Sequence, residues 1–124
     1  MISTLLQVAL GGALGASARF LSGLALARDA SGFPVAILTV NVLGSFLMGL
    51  FVVWSLRSGQ EALNPFVMTG VLGGFTTFSA FSLEAFTLFE RGQPGAALAY
   101  VGLSVVLSLA GLAAGVFIAR GLWA

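Results

Sequence analysis

One stretch combines side chains from which a site inside the membrane could be built, Gly70-Val71-Leu72-Gly73-Gly74-Phe75-Thr76-Thr77-Phe78-Ser79-Ala80-Phe81-Ser82-Leu83-Glu84. Two adjacent glycines meet two adjacent threonines, all weak helix formers. The hydroxyls of Thr77, Ser79 and Ser82, the rings of Phe78 and Phe81, and the Glu84 carboxylate follow at once. A helix built this way is expected to loosen between Gly73 and Thr77 and to free backbone carbonyls. In lipid, freed backbone survives only where protein or a water-filled cavity receives it. The stretch therefore reads either as an ion or substrate site at mid-membrane or as a glycine-rich contact between helices.

Other polar groups stand out against apolar neighbours. Asn41, between Val40 and Val42, needs partners inside a span; it either ties two helices together or offers its NH₂ to an anion. Tyr100, Ser104 and Ser108 are spaced i, i+4, i+8 and stack on one helix side. They form either a polar track or serines bonded back to their own helix. Phe78 and Phe81, three apart, are either core or a pair of rings whose positive edges face a narrow anion path, with Thr77, Ser79 and Ser82 as nearby donors. Arg19 and Glu84 lie late in their spans and approach one membrane face. They read either as snorkelling or paired interfacial charges or as an electrostatic lure with a gating carboxylate.

The elements that must position these groups are membrane helices. The chain has 124 residues, 59% hydrophobic and 7% charged, where a soluble domain carries roughly 25% charged residues. Spans are placed at 2–27, 34–56, 65–89 and 94–119, each near the ~20 residues that cross a bilayer core. All three prolines fall at helix starts; Ser3 or Thr4 is a possible first cap and Asn64 a cap for the third span. The connections are short, so no soluble domain is expected within 1–124. The sequence lacks histidine and cysteine, which excludes His- or Cys-based catalysis, the usual zinc sites and disulfides. Net charge +1 gives no reason to expect nucleic acid. Without a basic leader, the first segment reads as a retained span.

Gly11 and Gly15, Gly111 and Gly115, and Ser45 and Gly49 are small-xxx-small pairs, whose default meaning is close helix packing. The arginines are balanced: Arg57 and Arg120 belong to one side, Arg28 and Arg91 to the other, with Arg19 at the end of the first span, and there is no lysine. Orientation follows an excess of Lys and Arg on the cytoplasmic side, so this chain is expected to insert both ways and pair as an antiparallel dimer. A single orientation fixed by a partner is the alternative.

Three stretches together resemble the Fluc, or CrcB, fluoride channels of microorganisms: Gly11-Gly12-Ala13-Leu14-Gly15-Ala16-Ser17-Ala18-Arg19-Phe20, Asn41-Val42-Leu43-Gly44-Ser45-Phe46, and the run from Gly73 to Glu84. The resemblance covers essentially the whole chain, and its third motif is highly specific. It implies an all-α membrane protein of four transmembrane helices with the third broken mid-membrane, forming a dual-topology antiparallel homodimer in the cytoplasmic (inner) membrane. It implies two pores per dimer that export fluoride passively, and no enzyme activity. By the same resemblance, Asn41 lines the pore and Phe78 and Phe81 flank the fluoride path. Glu84, Tyr100, Ser104 and Ser108 belong to a polar track, and Arg19 sits in the vestibule. The carbonyls of Gly73 and Thr76 from two chains would hold a central structural sodium ion. Ala80 stands where the family commonly has threonine, which removes one track donor; Phe20 replaces a frequent tyrosine. Two rivals are a small multidrug transporter, which needs a carboxylate deep in the membrane, and a structural subunit of a larger complex, which leaves the Gly-Gly-Phe-Thr-Thr-Phe run unexplained.

Overall fold

The computed structural model describes residues 1–26 and 32–123. Its described residues form four helical rods long and apolar enough to cross a membrane, Ile2–Ala25, Val35–Ser58, Glu61–Glu90 and Pro94–Leu122. Arg28 and the expected end of the first span at Ala27 lie outside the described residues.

The first helix, α1 (Ile2–Ala25), begins at Met1 with no side-chain cap, so neither Ser3 nor Thr4 serves as one. The second, α2 (Val35–Ser58), starts one residue after Pro34. It ends on Gly59 at φ +70°, with the Gln60 N–H bonded to the Ser55 carbonyl at 2.8 Å. That is the left-handed glycine stop in which the N–H beyond the cap reaches back to the last turn.

The third rod is composite. A 3₁₀ turn, Glu61–Leu63, runs into a π-helical segment, Pro65–Leu72, then a short helical turn α3 (Gly73–Phe75), an interruption at Thr76 and Thr77, and α4 (Phe78–Glu90). Asn64 is not the cap expected of it: it has helical angles, φ −56° and ψ −45°, and makes no side-chain cap bond. The rod begins earlier than the proline because the 3₁₀ turn before Pro65 already supplies helical backbone. Helix α4 stops at Arg91, and Gly92 at φ +75° with Gln93 N–H on the Leu88 carbonyl at 3.0 Å repeats the stop of α2. Pro94 then opens α5 (Pro94–Leu122) at its first turn, where its missing N–H has no partner to lose.

The rods pack in two glycine-mediated pairs. A Cβ on Gly11 or Gly15 would run into the backbone of Phe66 or Val71, so α1 lies backbone-to-backbone on the π segment. A Cβ on Gly49 would meet the Leu112 carbonyl, and one on Gly115 the Phe46 carbonyl, which sets α2 equally close to α5. The small-xxx-small pairs are thus packing faces, with Ser45 turned instead to the groove described below. Helix α4 closes against α5 through a cluster of Phe81, Leu88, Ala97 and Tyr100, with Phe33 and Ile37 packed on it. At the other end, Arg57 Nη1 donates to the Arg120 and Trp123 carbonyls at 3.0 and 2.8 Å, joining the ends of α2 and α5.

Candidate functional site

The interruption in the third rod is held by side chains. Thr76 and Thr77 are extended, with ψ 159° and 125°, so the regular i→i−4 ladder stops there. The last helical bond before it runs from the Thr76 N–H to the Leu72 carbonyl at 3.0 Å, and the Thr76 hydroxyl donates to the same oxygen at 3.0 Å. Beyond the break, the Thr77 hydroxyl oxygen accepts the Ala80 N–H at 3.1 Å and so caps α4. Thr77 is the N-cap that the sequence hides among its neighbours.

Asn41 reaches across from α2. Its Oδ1 accepts the Thr77 N–H at 2.8 Å and its Nδ2 donates to the Thr77 carbonyl at 3.1 Å. The amide thereby stands in for a missing strand neighbour and ties α2 to the break. One of its two N–H donors is committed in this way and the other is not required by the pair. Arg19 comes from α1 on another side: its Nε donates to the Gly74 carbonyl at 3.2 Å. Depth counting places Arg19 near the interface, and its guanidinium bonds the Gly74 carbonyl just before the break.

A groove of about 450 Å³ opens beside the interruption. Asn41, Gly44, Ser45 and Met48 of α2 form one wall, the residues from Thr76 to Phe78 with Phe81 a second, and Ser104 and Ser108 of α5 a third. Seven expected site residues therefore meet here: Asn41, Thr76, Thr77, Phe78, Phe81, Ser104 and Ser108. The Ser104 hydroxyl is buried without a hydrogen-bond partner among the described residues. It does not bond back to its own helix, so it keeps a donor for whatever enters. Exposed Phe78, Val105 and Leu109 lie along the groove's open side.

The rings form a chain. Phe78 and Phe81 are 5.3 Å apart at 61°, Phe81 and Tyr100 5.3 Å at 40°, and Tyr100 and Phe33 5.7 Å at 89°. Such tilted and edge arrangements are the ones ring quadrupoles favour. Phe81 is buried, whereas Phe78 is 77% exposed. Tyr100 is fully buried in the cluster behind the groove.

Other expected site residues stand apart from the groove. Ser82 is exposed and donates to the Phe78 carbonyl at 2.9 Å, so its hydroxyl serves its own helix. Ser79 is exposed and 3.3 Å from the Thr77 hydroxyl. Glu84 is half-buried on the α4 face shared with Phe81, one turn before it, and Leu88, one turn after it. Gly73 is exposed beside the break.

Sequence reasoning passed over Gly44 and Phe75. A Cβ on Gly44 would run into the Thr76 methyl and lie 3.3 Å from the Phe75 ring, so only glycine lets the break seat against α2. Phe75 is buried beneath it. The signal for Gly44 was its place one turn after Asn41; for Phe75, only the fold shows the need.

Comparison with known proteins bears on the whole chain. The family model described as "CrcB-like protein, Camphor Resistance (CrcB)" matches residues 6–116. A protein of Ruegeria sp. (strain TM1040) is 62% identical over 123 residues, covering 98% of each chain. One of Cereibacter sphaeroides is 64% identical over 122 residues, again 98% of each. One of Paracoccus denitrificans is 52% identical over 124 residues, 100% of each. All three relatives bear the name "Fluoride-specific ion channel FluC".

Proposed function

The chain belongs to the CrcB-like family, and from that membership we propose that it is a fluoride-selective channel of the cytoplasmic membrane, moving fluoride passively and catalysing no reaction. The observation that carries the reading is the groove at the break, which gathers the Asn41 amide, the Ser104 and Ser108 hydroxyls and the Phe78 and Phe81 rings around one space.

The chemistry required is replacement of water. Fluoride is small and tightly hydrated, and a bare charge in a dry interior is costly unless donors surround it. Asn41 offers its remaining N–H, Ser104 an unspent hydroxyl, and the rings their positive edges. Conduction needs binding weak enough to release the ion. The donors are neutral and spaced along the wall, with no lysine in the chain to trap an anion. Arg19, held at the break through its Nε, adds positive charge to the approach. Ser79, Ser82, Glu84 and Tyr100 are assigned to the margins of the same path.

The complete unit is an antiparallel homodimer with two pores. Supporting this is the groove's open, apolar side: Phe78 is a large exposed ring in a place where a second chain would cover it. The balanced arginines allow both insertions. The dimer's centre is assigned to a sodium ion held by the Gly73 and Thr76 carbonyls of both chains. The donor set fits, since hard cations take oxygen ligands and the break turns both carbonyls away from helical bonding. When bound, the ion supplies positive charge at the junction of the two broken helices.

The test is efflux from liposomes loaded with fluoride, chloride or a drug cation under a proton gradient. Fluoride release alone is expected. Proton-driven drug movement would instead favour a multidrug transporter, and no transport at all a structural subunit.

A further inference from the structure

In an unbroken α-helix the Thr77 N–H would bond the Gly73 carbonyl, and the Ala80 N–H the Thr76 carbonyl. Both donors are taken elsewhere. The Thr77 N–H goes to Asn41 Oδ1 at 2.8 Å, and the Ala80 N–H to Thr77 Oγ1 at 3.1 Å. The two carbonyls that lose these donors are the pair assigned above to the cation.

We propose that Asn41 and Thr77 are the positioning residues of the cation site: their side-chain oxygens divert the two N–H groups that would otherwise claim the Gly73 and Thr76 carbonyls. The inference rests on the sodium reading above. Both side chains act through the backbone and not as ligands. Each diverted donor leaves one carbonyl with unspent lone pairs, and a released backbone acceptor inside a membrane protein must find another partner. A hard cation is such a partner.

The two side chains share the work differently. Asn41 belongs to another helix and holds Thr77 by both its N–H and its carbonyl, so it fixes the direction of the chain as it leaves Thr76. Thr77 acts locally, as the cap that stops Ala80 from extending the helix backwards. Asn41 also lines the groove. The anion path and the cation carbonyls therefore share one rigid side chain. Any ligand that moves Asn41 changes affinity at the other site, and the coupling runs both ways.

The experiment is a sodium titration of the full-length protein in detergent, at constant ionic strength with choline as the replacing cation, reading the melting temperature. Wild type is expected to be stabilised by sodium with a measurable half-point. N41L removes both bonds while keeping the branched shape and neutral charge of the side chain; T77V removes the capping oxygen at constant shape. Each should raise the sodium concentration at half-effect by about tenfold or more, the equivalent of one to two net hydrogen bonds. S108A, on the same groove but without a bond to the break, should leave the half-point where it is.

A merely structural role would lower the sodium-free melting temperature and leave the half-point unmoved. That result in both variants would overturn the proposal while leaving the sodium reading intact. If N41L does not fold, T77V alone decides between these outcomes. A wild-type protein indifferent to sodium would overturn the cation reading and this inference together.

Discussion

Phe78 and Phe81 touch ring to ring at 5.3 Å and 61°, yet one is 77% exposed and the other belongs to the buried cluster around Tyr100. Both line the groove, so their substitution should cost flux in the same way and stability in different ways. Phe78→Ile and Phe81→Ile each remove a ring edge and should each cut fluoride efflux sharply. Phe81→Ile should also destabilise the fold, by about 1–3 kcal/mol for a reshaped core, while Phe78→Ile leaves the melting temperature near wild type in the isolated chain. Efflux and thermal unfolding on the same preparations check both halves. Wild-type flux in both variants would return the rings to the core and the lipid.

The α1 glycines are not equivalent. A Cβ at Gly15 would meet the Val71 carbonyl and lie 2.8 Å from the Phe75 nitrogen, backbone that no rotamer change can move. A Cβ at Gly23 meets nothing within 4 Å. Gly15→Ala should therefore lose about 1–3 kcal/mol of stability through overpacking. Gly23→Ala should be neutral or stabilising, since alanine is the better helix former. Chemical or thermal unfolding in detergent reads the contrast; equal effects would contradict the close approach of α1 to the π segment.

The end of α5 depends on a side chain from α2. Arg57 bonds two of the last free carbonyls of α5, at Arg120 and Trp123, and places a cation at the negative end of the helix. Arg57→Ala should cost about 0.3–1 kcal/mol at this exposed site. It should speed amide hydrogen exchange in the final turn of α5 without touching the middle of the helix. Unchanged exchange there would show that the bonds hold nothing.

How far the sequence leads can be judged residue by residue. Four apolar runs of bilayer length announce the helices. Gly73-Gly74 followed by Thr76-Thr77 announces an interruption, but it falls on the threonines alone: Gly73 and Gly74 stay helical in α3, and the extended backbone begins at Thr76. The i, i+4, i+8 row of Tyr100, Ser104 and Ser108 fixes one inward face of α5. The π winding of Pro65–Leu72 was not legible, since a widened turn leaves no periodicity of its own in eight residues. Nor was the partner of Arg19: depth along α1 says how far a side chain must travel to water, not that the Gly74 carbonyl lies within its reach. Asn64 failed as a cap because a short polar residue before proline suits a helix start in general, while here helical backbone already precedes it. Asn41 was legible as a residue in need of partners, but not that its partner would be the backbone of Thr77.

The arginine balance gives a prediction about insertion. With Arg57 and Arg120 on one side against Arg28 and Arg91 on the other, tags on the termini should be reached from both faces of the membrane in similar amounts. Labelling with an impermeant reagent in inside-out and right-side-out vesicles measures this. All C-termini on one face would leave the antiparallel pair without support.

The claim on which the account turns is that the groove at the break carries fluoride, and Asn41→Asp tests it most directly. The substitution keeps the side chain's shape and one acceptor for the Thr77 N–H, but replaces the amide donor with a negative charge on the groove wall. Efflux should be measured from liposomes holding wild type, Asn41→Asp and Ser108→Ala, loaded with fluoride or chloride, with size-exclusion elution checked for each. Wild type should release fluoride and retain chloride, Ser108→Ala should lose only part of the flux because neighbouring hydroxyls or water cover one missing donor, and Asn41→Asp should release nothing. Fluoride efflux from Asn41→Asp at the wild-type rate would place the path elsewhere.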